Sequence, residues 1–229
     1  MKFLIIEHAE HENPGIISDW IEENNFSATT VKPFTGDKLS FENDFDFLLI
    51  MGGPQSLIEI DKNPYIKDEI EFTKNIIEEG KYVLGICLGA QIICDAVGSK
   101  TVHSEFKEYG FYPVTFTDEA LDKPLLKGFP KGLNILHWHG DMPGVNNNAT
   151  LIGSSAGCSN QGFIYSEKVA WLQFHMEISR KDMDALSKFD EKTLKEESKY
   201  VMPIEEIRNH NFDEMNNYMK LLLDNLIKK

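Results

Sequence analysis

The sequence predicts a three-layer α/β fold, with a mainly parallel sheet, an added partly antiparallel section and a helical C-terminal tail. Three observations predict it. As far as Val97, apolar runs rich in β-branched residues alternate with amphipathic segments of helical period, the pattern of β-α-β units. From Gly110 the runs shorten and turn residues crowd between them, and after Arg180 the chain turns polar and helical.

Taken in order, Lys2 to Glu7 reads as a buried strand, Ile16 to Glu23 as a short amphipathic helix behind Pro14-Gly15, and Ala28 to Lys32 as a second strand edged by Pro33. Phe45 to Met51 is a third strand that runs directly into Gly52-Gly53-Pro54. Tyr65 to Glu79 sets Ile66, Ile70, Ile76 and Ile77 against a charged face behind Pro64, and so reads as a helix. Tyr82 to Ile86 is a strand, and Ala90 to Val97 has helical composition. Shorter strands follow at Gly110 to Thr117, Leu133 to Trp138, Leu151 to Ser155, Gly162 to Tyr165 and Val169 to Phe174, expected as an addition to the same sheet. Asp182 to Lys199 is charged enough for a solvated helix. Asn211 is placed to cap a last helix, with Glu214 reaching back. Its stripe of Met215, Met219, Leu222, Leu223, Leu226 and Ile227 is most simply a face packed on the body, the other reading being a partner surface. The expected division is an α/β domain over 1–180 and a helical extension over 181–229 packed on it.

At 229 residues the chain can bury a core as one domain without staples. Its 23 basic and 37 acidic side chains leave a net charge of −14, a field that disfavours nucleic acid and anionic membranes as partners. The opening apolar run is too short for a signal peptide and no later run approaches a membrane span, so a cytoplasmic protein is expected. Three dispersed cysteines without Cys-x-x-Cys spacing argue against a disulfide framework or a thiolate zinc site.

The chemistry concentrates at Gly85-Ile86-Cys87-Leu88-Gly89. An apolar strand, a Gly-x-Cys-x-Gly turn and a helix start have the form of a nucleophile elbow, in which a sharp turn lifts the reactive side chain above the sheet. Helix-opening N–H groups aimed at the sulfur favour thiolate. A small apolar residue filling a Gly-rich strand end is the competing reading of Cys87. A nucleophile needs a base and a group to orient that base. His175 and Glu177 lie two apart at the end of a strand and so face one side. Gly52-Gly53-Pro54 at a neighbouring strand end can turn an N–H toward the site, and with the N–H of Leu88 would form an oxyanion hole.

Gly52-Gly53-Pro54-Gln55-Ser56, Gly85 to Gln91 and Phe174-His175-Met176-Glu177 resemble, in order and spacing, the three signatures of the class I glutamine amidotransferases. More narrowly, the chain is similar to stand-alone proteins related to the glutaminase domain of GMP synthase. Tyr109-Gly110, His137 to Asp141, Asn160 to Phe163 and the helical tail share that likeness. The resemblance implies a flavodoxin-like sheet, Cys87 as nucleophile, His175 as acid and base, and Glu177 as its orienting partner. It also implies Gly53 and Leu88 as oxyanion donors with Gly52 shaping the turn, Gln91 as a contact to glutamine, and the backbone of Asn160, Gln161, Gly162 and Phe163 as the holder of its amino-acid end. Met176 departs from the family, where many members have proline. No synthetase segment follows, so an ammonia acceptor is expected on another chain.

The function expected is therefore hydrolysis of the glutamine side-chain amide through a cysteinyl thioester, with no cofactor and no metal. The alternatives are a γ-glutamyl peptidase or hydrolase using the same triad, and a catalytically silent binding or regulatory protein on this scaffold. His137, His139 and Asp141 alternate on one strand face, a spacing a metal could use, but one face of a short strand rarely completes a shell. A rim role for His139 and Asp141 is preferred. His8 and His11 follow the first strand and read as solvated loop residues in preference to an acceptor pocket. Cys94 reads as core, Cys158 as structural, and His103 and His210 as surface residues.

Overall fold

Strands buried on both faces form where every residue of a short run is apolar. In the computed structural model, which describes residues 1–40, 44–189, 193–195 and 198–228, the runs at 3–6, 47–50 and 83–86 do this, while the run at 27–31 is an exposed edge strand. The strands of the first half are β1 (Lys2–Ile6), β2 (Ser27–Val31), β3 (Phe47–Ile50) and β4 (Tyr82–Ile86), separated by helices α1 (Ile16–Glu23) and α2 (Tyr65–Glu78) and followed by α3 (Leu88–Ala96). Then come β5 (Val102–Phe116), α4 (Asp118–Leu121), β6 (Gly132–Met142), β7 (Thr150–Leu151), β8 (Gly153–Ser154), β9 (Gly162–Ile164) and β10 (Val169–Leu172). Helices α5 (Arg180–Phe189), α6 (Ile204–Asn209) and α7 (Phe212–Ile227) complete the chain. The expected helix over Asp182 to Lys199 is thus α5 in part; its residues 190–192 and 196–197 lie outside those described.

One sheet runs in the order β2-β1-β3-β4-β10-β9-β7, parallel as far as β10 and antiparallel beyond it. Alternation along each strand sends side chains to two apolar layers. Phe3, Ile5, Phe47, Leu49, Leu84 and Ile86 pack with Ile17 and Trp20 of α1 and with Met215, Met219 and Leu222 of α7. Leu4, Ile6, Leu48, Ile50 and Val83 pack on the other face with Ile66, Phe72 and Ile76 of α2 and Ile92 and Ile93 of α3. The stripe of α7 is therefore a packed face, with Asn211 capping it through Asp213 N–H at 3.1 Å.

The added section meets expectation in β9 and β7, which extend the main sheet antiparallel, and departs from it in β5, β6 and β8. Leu151 to Ser155 splits into two strands, and β5, β6 and β8 form a separate three-stranded antiparallel sheet instead of extending the first. The long β5–β6 hairpin makes this possible, with a register shift between His103 and Glu108. The hairpin meets the main sheet near its carboxyl edge, where His175 N–H donates to Leu136 C=O at 2.8 Å.

Candidate active site

Adjacent parallel strands β1, β3, β4 and β10 end on the same edge, so the segments after them converge. Gly52 and Gly53 follow β3, Cys87 follows β4, and His175 comes shortly after β10.

Cys87 sits between β4 and α3 with φ 54° and ψ −107°, one of two non-glycine residues with positive φ among those described. Such a backbone costs about 1–3 kcal/mol and persists only where its surroundings enforce it. The glycines either side are part of that enforcement. A Cβ on Gly85 would lie 2.3 Å from Gly89 C=O, and one on Gly89 would lie 2.1 Å from Ile50 C=O. The elbow therefore packs backbone on backbone, and the helix can start directly behind the strand.

His175 Nδ1 lies 2.7 Å from Glu177 Oε1, and both side chains are buried. Its Nε2 makes no well-directed hydrogen bond among the described residues, and the Cys87 thiol is the group that interacts with that ring besides Glu177. Burial works against a charged imidazole here, but the Glu177 carboxylate and the Cys87 sulfur outweigh it and hold His175 well above its usual range. Burial pushes the Cys87 thiol up, His175 pulls it down without prevailing, and the carboxylates of Glu12 and Glu177 add to the rise. The helix-opening N–H groups, expected to favour thiolate, meet a larger opposing cost of desolvation. The thiol itself donates to Trp138 C=O at 3.7 Å and receives Gln173 Nε2 at 3.6 Å.

Glu177 is fixed from two sides. Ile16 N–H at the start of α1 donates to Glu177 C=O at 3.0 Å. The side-chain amide of Asn216 on α7 donates to Met176 C=O at 2.7 Å and Ile178 C=O at 3.0 Å. Met176 is fully buried.

Gly52 and Gly53 lie against the elbow. A Cβ on Gly52 would be 3.5 Å from Cys87 Cβ, and one on Gly53 would be 2.9 Å from a methyl of Leu88. Gln91 is buried and donates to Gln173 Oε1 at 3.2 Å, which links it to the sulfur through one side chain. The other expected contacts are engaged elsewhere. Asn160 donates to Pro143 C=O at 2.9 Å. Gln161 N–H donates to Gly153 C=O and its carbonyl accepts from Gln173 N–H. Gly162 C=O accepts from Ile152 N–H, and Phe163 packs on Trp171 with ring centroids 5.6 Å apart.

His139 is buried rather than on a rim, and Asp141 is tied to Ser56 Oγ at 2.6 Å and His103 Nδ1 at 2.8 Å. His137 and His139 find their third partner across the hairpin, since Glu108 of β5 pairs with His139. One ligand-type atom from each lies within 4.8 Å of the others, a set a cation could use. The chain's own donors already engage the Glu108 carboxylate, while neither ring nitrogen of His139 makes a well-directed hydrogen bond among the described residues. Glu108 accepts from Ser155 Oγ at 2.7 Å, Gly157 N–H at 3.1 Å and Gln161 Nε2 at 2.8 Å, and that same amide nitrogen stands 3.1 Å from His137 Nδ1. The cluster ties β5 and β6 to the turn before β9. Burial raises Glu108, but His139, His137 and Ser155 prevail and bring it down to about 2. Burial lowers His137 to about 4 despite Glu108.

His8 corrects the reading of a solvated loop: it is buried and bound to Glu69 of α2. His11 stacks on Phe189 at 3.9 Å. Glu69 was hidden because its neighbours are charged, yet Ile66, Glu69, Phe72, Thr73 and Ile76 form the buried face of α2. An acid inside a helical apolar stripe was the available signal. Cys94 and Cys158 are buried, with thiols pushed by desolvation up to about 12 and about 11. No helix is long and apolar enough to cross a membrane among the described residues.

Residues 16–193 match the family model of glutamine amidotransferase class-I. The glutamine amidotransferase-like protein YfeJ of Salmonella typhimurium is 31% identical over 99% of this chain and 97% of its own. The glutamine-hydrolyzing GMP synthase of Streptococcus mutans is 28% identical over 77% of this chain, but the match spans only 33% of that enzyme. A crystal structure of a glutamine amidotransferase from Thermotoga maritima superposes with a TM-score of 0.88 at 27% identity, covering 100% of this chain and 99% of its own. The chain belongs to the class-I glutamine amidotransferase family and resembles, within it, the glutaminase domain of GMP synthase.

Proposed function

We propose that this chain hydrolyses the side-chain amide of glutamine with Cys87, His175 and Glu177 as its triad, and that the ammonia serves an acceptor on another chain. The observation that carries the reading is an imidazole held by Glu177 at 2.7 Å on one nitrogen while its ring interacts with the thiol of a strained elbow cysteine. Family membership supports glutamine as the substrate class. The match to one third of a GMP synthase supports a separate synthetase as the acceptor.

In this mechanism the Cys87 thiol passes its proton to His175 as substrate enters, and the thiolate attacks the carboxamide carbon of glutamine. The S–C bond forms and the carbonyl oxygen becomes an oxyanion, held by Gly53 and Leu88 N–H. His175 gives its proton to the departing nitrogen, the C–N bond breaks, and ammonia leaves a γ-glutamyl thioester. Neutral His175 then takes a proton from water as water attacks; the C–S bond breaks, glutamate departs, and the thiolate and imidazolium return.

Ammonia release from glutamine tests the reading, with Cys87→Ala as control. Wild type is expected to release ammonia and the variant none; equal release by both rules the nucleophile out. The same assay over γ-glutamyl amides with bulky leaving groups separates a glutaminase from a γ-glutamyl hydrolase, by which class turns over faster.

A further inference from the structure

An oxyanion hole works only if its N–H groups are already aimed when charge develops. The Gly52-Gly53 turn has no side chains to aim it. Two glycines in succession can rotate their shared peptide at little cost, so something else must hold it.

His8 is that something by position. It lies just beyond β1, next to β3 in the sheet, and is buried with both ring nitrogens engaged. Nδ1 lies 3.1 Å from Met51 C=O and 3.3 Å from Gly52 C=O. Nε2 lies 3.0 and 3.1 Å from the two carboxylate oxygens of Glu69, itself fully buried. Carbonyls only accept, and the carboxylate pair on the far side lets the ring donate from both nitrogens at once. Glu69 thus fixes the ring, and the ring pulls on Gly52 C=O.

The consequence for Gly53 follows from planarity. No cis peptide occurs among the described residues, and in a trans peptide C=O and N–H point opposite ways. With Gly52 C=O drawn to His8, Gly53 N–H points away from His8. The turn is also tightly packed at Gly53, where a Cβ would lie 2.5 Å from His8 Cβ on one side and 2.9 Å from a Leu88 methyl on the other. Gln55 Nε2 donates to His8 C=O at 3.0 Å and fastens the loop to the same turn.

We propose that His8, fixed by Glu69, is a positioning residue that locks the Gly52–Gly53 peptide with its N–H aimed at the acyl oxygen on Cys87. This rests on the reading of Gly53 as an oxyanion donor. His8 touches no reacting atom, and its effect passes through the peptide alone.

The test uses His8→Gln, His8→Asn and Glu69→Gln in the full chain. A glutamine amide reaches the Nε2 position and keeps a link to Glu69, whereas an asparagine amide reaches the Nδ1 position and keeps a donor for Gly52 C=O. His8→Gln is expected to lower kcat for glutamine by up to about 10²- to 10³-fold, the range for losing an oxyanion donor, with KM within about threefold. His8→Asn is expected to retain most of the rate, and Glu69→Gln to fall between them. Alkylation of Cys87 by iodoacetamide forms no oxyanion and is expected to be unchanged in all three. A His8→Gln rate equal to or above that of His8→Asn overturns the proposal, as does alkylation that falls in step with kcat. A second measurement needs no turnover. The 15N-labelled Gly53 amide is expected to shift and exchange its hydrogen faster in His8→Gln than in wild type. An unmoved Gly53 resonance overturns the proposal even in a protein that hydrolyses glutamine. If wild type releases no ammonia, the glutaminase reading fails while the Gly53 amide still decides the role of His8.

Discussion

Cys87 N–H donates to Leu172 C=O at 2.8 Å, so the residue just past the elbow strand is bonded to the last residue of β10, three positions before His175. The parallel ladder Val83↔Val169 to Ile86↔Leu172 extends to that bond. Thiol and imidazole, far apart in sequence, are therefore mounted on two neighbouring rails, and their separation is set by sheet geometry.

Removing either side of that pair is expected to abolish chemistry without unfolding the protein. Cys87→Ala should leave no ammonia release. His175→Asn should lower kcat by about 10²- to 10⁴-fold, the usual contribution of a positioned acid and base. Thermal unfolding midpoints near wild type would confirm that the loss is chemical.

Glu177→Gln removes the charge that holds the His175 proton. Because that pair raises the folded value of His175, its contribution to stability is full below about pH 6.5 and is lost as pH rises through the raised value. Glu177→Gln should therefore be less stable than wild type near pH 6, with the gap closing on the alkaline side. Urea unfolding across pH measures it, and kcat should fall by at least about 10²-fold.

The strand and helix pattern of the first half could be read because each signal is local. Burial on both faces makes β1, β3 and β4 continuous apolar runs, and the glycines at 85 and 89 carry the elbow within five residues. His175 and Glu177 are two apart, so one strand's geometry brought them together. Glu108 and Glu69 could not be read in that way. Glu108 lies among Glu105 and Lys107 like a solvated residue, and only the β5–β6 pairing carries it to His139. Glu69 meets His8 across 61 positions, between a loop and a helix. The apolar stripe of α2 marks Glu69 as buried, but no periodicity in the chain names the partner it meets. The separate three-stranded sheet escaped for a related reason, since its strands pair with each other through a register shift.

Glu108→Gln tests the second buried cluster. The folded values of Glu108, about 2, and His137, about 4, both lie below their ordinary ones. Each contribution is present above the unfolded value and lost as pH falls through the folded one, which gives windows from about 6.5 to 4 for His137 and about 4.5 to 2 for Glu108. Wild type should lose stability steadily through this acid range. Glu108→Gln should start lower, by about 1–3 kcal/mol for the buried donors it leaves without a charged acceptor, and show a flatter acid limb below pH 4.5 in urea titrations.

Gly89→Ala is expected to disturb the elbow by contact alone. Its methyl would need to displace Ile50 C=O from 2.1 Å. Overpacking of this kind costs about 1–3 kcal/mol or more. Chemical denaturation should register that loss together with slower alkylation of Cys87, since the strained turn relaxes as Ile50 moves.

Asn216→Ala is expected to cost about 1–3 kcal/mol from two hydrogen bonds of about 0.5–1.5 each, and to lower kcat more than it changes KM. Steady-state kinetics beside a melting curve separates the two effects.

Asn216 has a practical corollary for anyone excising this fold. The family boundary falls at residue 193, yet the side chain that clasps the peptide on both sides of Glu177 comes from a helix that begins at Phe212. A fragment cut at that boundary would keep every signature motif and lose the clasp, so its inactivity would say nothing about the motifs.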